Sequence, residues 1–241
     1  MKKILTAMIF IALSTVSSNA IGLPNLSSFE LTAGLASNQG VFGASALETN
    51  RDESNVVRTT DKTSGVFTDG YSSQFLELGI GTWFSVGYEH TPDSISTPQD
   101  TRSTGGDVAS ATGSTSVSVD FNDLNTTYVK INLPFMTGAY IKSGSVDVDL
   151  DIKESMASGS TYKNVSTSGT MMGAGYQTYI GESNFGIRFE AAYLDLDNVT
   201  TDNGVSLTGG TPANGGRNQI DASNLEGLQG KLAVTYTLGK N

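Results

Sequence analysis

The last stretch of the chain, residues 228–238, alternates apolar and polar positions with a period of two. One face carries Leu228, Leu232, Val234, Tyr236 and Leu238, and the other carries Gln229, Lys231, Ala233, Thr235 and Thr237. This pattern predicts a β-strand with one apolar and one polar face. A half-buried strand of a soluble sandwich and a strand of a membrane barrel share this pattern, so the rest of the chain has to separate them.

Seven earlier segments show related patterns, and together with the last one they predict eight strands in a single domain. The predicted strands are 27–36, 71–80, 83–90, 115–133, 138–153, 165–180, 184–197 and 223–238. The apolar set changes register after Asn122 and Asp123, which predicts an irregularity there. Lys142 falls on the same face as Tyr140 and Val146, which predicts a bulge near Gly144.

The connections between these strands alternate in length. Tight turns are predicted at 81–82, 134–135 and 181–183, and long polar loops at 48–70, 91–114 and 198–222, with a shorter loop at 154–163. Outer-membrane barrels have short turns at one end and long loops at the other, whereas a soluble sandwich has no such constraint. Two interfacial aromatic belts are predicted as well: Phe29, Trp83, Phe84, Phe135, Tyr179, Phe185 and Tyr236 near the turns, and Tyr88, Tyr140 and Tyr193 further along.

The N-terminus has the three parts of a secretory signal peptide. Lys2 and Lys3 precede an apolar run over 4–13, and small residues end at Ala20, where cleavage is expected. We therefore expect residues 1–20 to be the signal peptide and 21–241 to be one mature domain outside the cytoplasm. No later apolar run reaches 18 residues. The mature chain is thus predicted to be either soluble or a barrel.

The composition of the chain limits the kinds of partner that it can bind. The chain has no cysteine, so disulfides do not contribute to stability. Of its 14 basic residues two belong to the leader, which leaves 12 against 24 acidic ones. Such a balance argues against nucleic acid as a partner.

Export signal, strand pattern, loop alternation and aromatic placement together resemble the small outer-membrane barrels of Gram-negative bacteria, of the OmpA-type and opacity-type. The resemblance covers nearly the whole mature chain and predicts an all-β fold, an eight-stranded antiparallel up-and-down transmembrane barrel. It implies a periplasmic N-terminus, extracellular long loops, a monomer embedded in outer-membrane lipid, and a last strand paired with the first. It also implies that the last strand is recognised by the outer-membrane assembly machinery, through Leu232, Val234, Tyr236 and Leu238. This signal commonly ends on an aromatic residue, whereas here five residues follow Tyr236.

If the apolar faces meet lipid, the opposite faces fill the barrel. That places a set of charges in the lumen: Glu30, Glu77, Glu89, Lys130, Arg188, Glu190 and Lys231. An eight-stranded barrel is only wide enough for side chains to fill, so these groups are expected to pair and plug it. A structural ion-pair network is favoured over a gated ion path.

Other candidate sites are weaker. Asp147, Asp149 and Asp151 lie on one strand face, but a calcium loop would need Gly and Glu where Ile152 and Ser158 stand. His90, the only histidine, ends a strand on the apolar side of its pattern and lacks the His-x-Ser spacing of the outer-membrane deacylases. No metal, cofactor or enzymatic activity is therefore predicted.

The sequence favours an outer-membrane barrel with a structural or surface-interaction role. Two alternatives stay open: a narrow channel for ions or small solutes, and a soluble periplasmic barrel that binds an apolar ligand.

Overall fold

The computed structural model describes residues 29–52, 54–104, 113–155, 161–204 and 217–239. The predicted signal peptide lies outside these residues. Eight long strands carry the fold: β1 (Phe29–Arg51), β2 (Val57–Ile80), β3 (Phe84–Thr91), β6 (Gly113–Asn132), β7 (Ala139–Ser155), β8 (Val165–Tyr179), β9 (Phe185–Leu196) and β11 (Asn218–Leu238). Three short strands lie between them: β4 (Ile95–Ser96), β5 (Asp100–Thr104) and β10 (Val199–Asp202). Within the described residues no helix is long and apolar enough to cross a membrane.

The eight long strands form a closed antiparallel ring. Their order is β1, β2, β3, β6, β7, β8, β9 and β11, and β11 returns to β1. Leu35, for example, lies opposite Gln74 on β2 and opposite Val234 on β11. The eight-stranded, up-and-down fold predicted from the sequence is therefore confirmed, as is the pairing of the last strand with the first.

The tight turns lie together at one end of the ring, which we call the turn end, and the opposite end is the loop end. Gly81 and Gly181 occupy two of these turns with φ angles of 65° and 59°, a region that glycine enters without a steric cost. The prediction of three short connections is confirmed.

Much of the loop end is strand rather than loop. β1 and β2 pair from Phe29 to Arg51, so the loop predicted at 48–70 was wrong except for the turn that begins after Arg51. From Val57 to Gly65 every residue of β2 is exposed. A strand with both faces in water shows no hydrophobic period, and periodicity alone therefore misses it. β4 and β5 pair with β6 inside the loop predicted at 91–114, and β10 lies inside the one predicted at 198–222.

An apolar band surrounds the outside of the ring toward its turn end. Large exposed residues form it, among them Leu35, Ile80, Trp83, Phe84, Ile131, Phe135, Ile141, Met172, Ile180, Phe185, Phe189, Leu232, Val234 and Leu238. On β11 the band runs from Leu228 to Leu238, about 33 Å along the strand and about 25 Å along the barrel axis at a tilt of about 40°. That height matches the apolar band of outer-membrane barrels. The belt prediction is wrong for two residues, because their side chains point into the barrel. Tyr140 is 1% exposed, and the Tyr179 hydroxyl lies 3.3 Å from the hydroxyl of Thr237, which is buried.

The polarity of the two faces inverts along the barrel. On β7 the inward residues are first Tyr140 and Lys142, and then Val146, Val148 and Leu150, all of them buried. The ladder to β8 is continuous from Ala139 to Leu150, so the bulge predicted near Gly144 was wrong. The same face of β7 points inward along its whole length, but its inward side chains change from polar to apolar. The predicted irregularity in β6 is confirmed, since the register shifts between Asn122 and Asn125.

Candidate functional site

A cluster of charged side chains fills the barrel at the level of the apolar band. We call it the polar plug. It consists of Glu77, Glu89, Lys130, Lys142, Arg188, Glu190 and Lys231, each at most 7% exposed. Alternate residues of β2, β3, β6, β7, β9 and β11 point these groups inward, because a strand presents every second side chain to one face.

Glu77 is the centre of one half of the plug. Its carboxylate accepts hydrogen bonds from both terminal nitrogens of Arg188, at 2.6 and 2.7 Å. It also accepts one from Lys130 at 2.6 Å and one from the Tyr128 hydroxyl at 2.8 Å. Arg188 in turn donates to Gln177 at 2.6 and 3.0 Å. The two-point contact between a guanidinium and a carboxylate is the strong, geometrically specific form of this interaction.

Glu89 and Glu190 share two lysines in the other half. Lys231 lies 2.6 Å from Glu89 and 3.2 Å from Glu190, and Lys142 lies 2.5 Å from Glu190 and 3.4 Å from Glu89. The Ser73 hydroxyl donates to Glu89 at 2.7 Å. This half has as many cations as carboxylates, whereas Glu77 faces two cations. The interior is thus occupied by paired charges whose polar atoms are satisfied by one another.

Small inward residues make room for the large ones. A Cβ atom at Gly87 would collide with the ring of Tyr128, and a Cβ at Gly175 would collide with the ring of Tyr140. Both tyrosines line the plug, since Tyr128 donates to Glu77 and Tyr140 donates to Glu190 at 2.8 Å. Glycine in these strands therefore marks a close approach by an aromatic ring rather than a break.

The predicted lumen residues are brought together with one exception. Glu77, Glu89, Lys130, Arg188, Glu190 and Lys231 all belong to the polar plug. Glu30 does not, because it lies near the turn end opposite Gly79 and has no ion pair with any described residue. Lys142 was not predicted as a lumen residue. Because it shares a face with Tyr140 and Val146, the sequence predicted a bulge near Gly144 instead. Sequence reasoning also missed Gln177 and Ser73, which carry no charge.

The predicted assembly residues lie on the outward face of β11. Leu232, Val234, Tyr236 and Leu238 are 39–56% exposed, while the alternate residues Lys231, Ala233, Thr235 and Thr237 are buried. The rings of Tyr236 and Phe185 are in edge contact, 4.9 Å between centroids. The facing predicted for the last strand agrees with this burial pattern.

Beyond the plug, toward the loop end, the barrel interior is apolar. We call this cluster the outer core. Its buried members are Tyr71, Ile95, Leu124, Tyr128, Val146, Val148, Leu150, Met171, Ala192, Leu194, Val199 and Leu225. Phe42, Phe67 and Phe121 pack against it, with ring centroids 5.4 Å apart for the first two and 6.4 Å for the last two. Interiors of outer-membrane barrels are polar as a rule. The apolar outer core, which lies next to the polar plug, departs from that rule.

A small, partly open cavity of about 20 Å³ remains within the outer core. Phe42, Phe67, Ile95, Phe121, Leu124, Leu194 and Leu225 are among the residues that line it. Toward the plug the outer core ends on polar groups. The Tyr71 hydroxyl donates to Gln229, and Asn38 donates to Ser73 at 2.9 Å. The buried Oδ1 atom of Asn38 has no hydrogen-bond partner among the described residues.

The weaker candidate sites do not assemble. Asp147 and Asp149 point away from the barrel interior, and the described residues contain no group of three ligand-type side chains that could hold a metal ion. His90 contacts the amide oxygen of Asn125 at 2.9 Å, which also accepts from Tyr88. At the loop end the buried Asp120 pairs with the exposed Lys153, and the hydrogen bond from Lys153 holds the pKa of Asp120 below its usual range.

No protein-family model matches the chain, and no curated protein matches its sequence. Solved structures do match. The crystal structure of the outer membrane protein OprG from Pseudomonas aeruginosa aligns with 85% of this chain and 96% of its own, at 12% identity and a TM-score of 0.53. The attachment invasion locus protein Ail of Yersinia pestis aligns at 10% identity over 84% and 99%, with a TM-score of 0.36. The outer membrane protease OmpT from Escherichia coli aligns at 10% identity over 87% and 97%, with a TM-score of 0.44. Together with the closed eight-stranded ring, the agreement with OprG shows that this chain has the fold of the small outer-membrane β-barrels.

Proposed function

We propose that the chain is an integral outer-membrane barrel that is closed by its polar plug and binds a small apolar molecule in its outer core. The turn end and the N-terminus lie in the periplasm in this proposal, and the loop end faces the outside. The band of exposed apolar residues supports the membrane location, because its height of about 25 Å fits a bilayer. A role at the surface, which the sequence favoured, agrees with an outer core at the loop end.

The polar plug argues against a channel. Glu77 and Arg188 are each 1% exposed and joined at two points, so paired side chains occupy the centre of the lumen. We expect no steady conductance when the purified barrel is added to a planar lipid bilayer. A salt-dependent conductance that Glu77→Ala abolished would overturn this part of the proposal and support an ion path.

The outer core is the observation that carries the binding role. A barrel needs only an ion-paired interior to span a membrane, yet here 12 buried residues, mostly aliphatic and aromatic, form a separate compartment beyond the plug. Ligand sites are concave and mostly apolar with a few polar groups that orient the ligand. Gln229 and the unpaired Asn38 oxygen supply such groups where the outer core meets the plug.

Binding is tested with an uncharged apolar fluorophore, N-phenyl-1-naphthylamine, added to the barrel in lipid nanodiscs. Leu194 lines the cavity and is 3% exposed, so Leu194→Asn should weaken binding about tenfold by removing an apolar contact. Val66 is 75% exposed on β2, and Val66→Asn serves as the control that leaves binding unchanged. Equal binding by all three proteins would mean that the fluorophore only partitions into lipid and would overturn the site.

We also propose a role without catalysis. The only histidine contacts the Asn125 amide rather than a carboxylate or a serine, so within the described part of the chain it forms no pair of base and nucleophile. Incubation with peptide and ester substrates should give no turnover, and a turnover lost in His90→Ala would contradict the proposal.

A further inference from the structure

The wall of the barrel changes its construction beside the outer core. The backbone ladder between β2 and β3 ends at the pair Gln74 and His90. Past that pair the chain leaves the ladder as a strap, residues 91–96, which includes β4. The strap bonds through its backbone to β6, where Ile95 pairs with Phe121 and Ser96 pairs with Asp120. Among the described residues no backbone ladder joins the strap to β2.

Two carboxylates close the seam between the strap and β2. Asp93 of the strap accepts from the Ser72 backbone N–H at 2.7 Å and from the Ser72 hydroxyl at 2.6 Å. Asp69 of β2 accepts from the Ser96 backbone N–H at 3.1 Å. All three hydrogen bonds are exposed to solvent, and they are few compared with the continuous backbone ladder between β2 and β3.

Behind this seam the strap contributes one side chain to the outer core. Ile95 is 1% exposed and lines the cavity, and Phe67 of β2 and Phe121 of β6 face each other beside it. Moving the strap away from β2 would therefore withdraw Ile95 from the outer core and widen the opening of the cavity. The cavity of about 20 Å³ has room for about one water molecule, so a ligand enters only if a wall residue moves.

A second discontinuity lies between β8 and β10 on the other side of the barrel, and it is closed differently. There the Asp197 backbone N–H donates to the Ser168 carbonyl oxygen at 2.7 Å, and the Thr201 hydroxyl donates to the Lys163 carbonyl oxygen at 2.8 Å. One of these bonds joins two main-chain groups, whereas each of the three bonds across the seam needs an Asp side chain. No residue of β10 is among those that line the cavity. The strap is therefore the weaker part of the wall and the part that touches the cavity.

We infer that the strap is the entry gate of the outer core. Hydrogen bonds to Asp93 and Asp69 hold it against β2, and the Ile95 side chain fills the space between the strap and the cavity. This inference rests on the proposed binding role of the outer core. The gate opens to the aqueous side of the barrel, because it lies beyond Gln74 and His90, past the apolar band. A ligand would pass between β2 and β4 and displace Ile95.

The first test measures access without any ligand. The chain has no cysteine, so Leu194→Cys places a single thiol on the cavity wall. Its reaction with methyl methanethiosulfonate, a small uncharged thiol reagent, reports how often the outer core opens. Adding Asp93→Ala should speed the reaction about tenfold, as expected when about 1.4 kcal/mol of hydrogen bonding is lost. The matched control is Asp149→Ala, which removes a 2.6 Å hydrogen bond from Ser166 of β8, leaves the seam with β2 intact and should leave the rate unchanged.

The second test locks the strap. A disulfide between Ser72→Cys and Asp93→Cys should slow the association of N-phenyl-1-naphthylamine at least tenfold, and reduction should restore the rate. A disulfide between Ser166→Cys and Asp149→Cys is the control that leaves association unchanged. Uptake at the same rate with the strap locked or released would overturn the gate. Faster thiol labelling in Asp93→Ala without any fluorophore binding would instead keep the gate and overturn the proposed ligand.

Discussion

Glu77 accepts four hydrogen bonds at a site that is 1% exposed. An isolated carboxylate would not stay ionised there, because removing it from water costs several kcal/mol. Arg188 and Lys130 offset that cost only as long as both remain next to it. The same argument holds in reverse, since loss of the carboxylate would leave two cations buried together.

We therefore expect Glu77→Gln to lower the free energy of unfolding by about 3–5 kcal/mol, as is typical when one partner of a buried ion pair is removed. Urea titration of the barrel in detergent micelles measures this change. Glu30→Gln is the matched control, because Glu30 has no ion pair with a described residue, and it should stay within about 0.5 kcal/mol. Equal losses from both variants would show that the network around Glu77 is not stabilising.

Charged plug residues were predictable because each stands out in an alternating strand. Lys142 stands out in the same way. It was not assigned to the lumen because the apolar Val146 on the same face suggested a bulge between them. Gln177, Ser73 and the tyrosines could not be found this way. An uncharged polar residue is common on either face of a strand, and only the contacts in the folded ring reveal its role.

Gly144 of β7 illustrates what an element requires of its residues. It was predicted as a bulge, yet it pairs regularly with Tyr128 on β6 and Met171 on β8. A Cβ atom at this position would collide with the Thr127 carbonyl oxygen and lie 2.7 Å from the Tyr128 Cβ. The glycine thus permits two strands to approach closely while the ladder stays intact.

Gly144→Ala should destabilise the barrel by about 1–3 kcal/mol, because the neighbour that the new methyl group meets is backbone and cannot turn away. Gly230→Ala on β11 should be neutral or stabilising by about 0.5–1 kcal/mol, since its Cβ would meet nothing within 4 Å. Unfolding midpoints in urea compare the two. A larger loss at Gly230 than at Gly144 would contradict the packing described for β7.

The strap has a pH dependence that can be measured on one group. Hydrogen bonds from the Ser72 hydroxyl and backbone N–H hold the pKa of Asp93 below its usual range. A lowered carboxyl pKa contributes stability that is present above the unfolded value of about 3.9 and is lost as the pH falls through the folded value. The hydrogen bonds from Ser72 to Asp93 should therefore weaken only below about pH 4. An NMR titration of the Asp93 carboxyl checks this, and Ser72→Ala should raise the pKa of Asp93 toward its usual range.

At the scale of the whole molecule, the barrel has two environments. Toward the turn end the outside is apolar and the interior charged, and toward the loop end Asp147 and Asp149 lie outside while Val146 and Val148 lie inside. Strand alternation predicted the fold, the strand count and the facing of β11. It could not predict where the surroundings invert, because period-two alternation looks the same in both halves. Strands such as the outer part of β2, with water on both faces, have no period at all.

The membrane boundary implied by this inversion can be tested with one substitution at two levels. Val234 and Val66 are both outward-facing valines, 56% and 75% exposed, but only Val234 lies within the apolar band. Val234→Arg should destabilise the barrel by about 2–4 kcal/mol in lipid vesicles, the cost of an arginine near the bilayer midplane. Val66→Arg should change stability by less than about 0.5 kcal/mol, because its side chain stays in water. Urea unfolding in vesicles measures both, and similar effects at the two positions would mean that the band does not lie in the hydrocarbon layer.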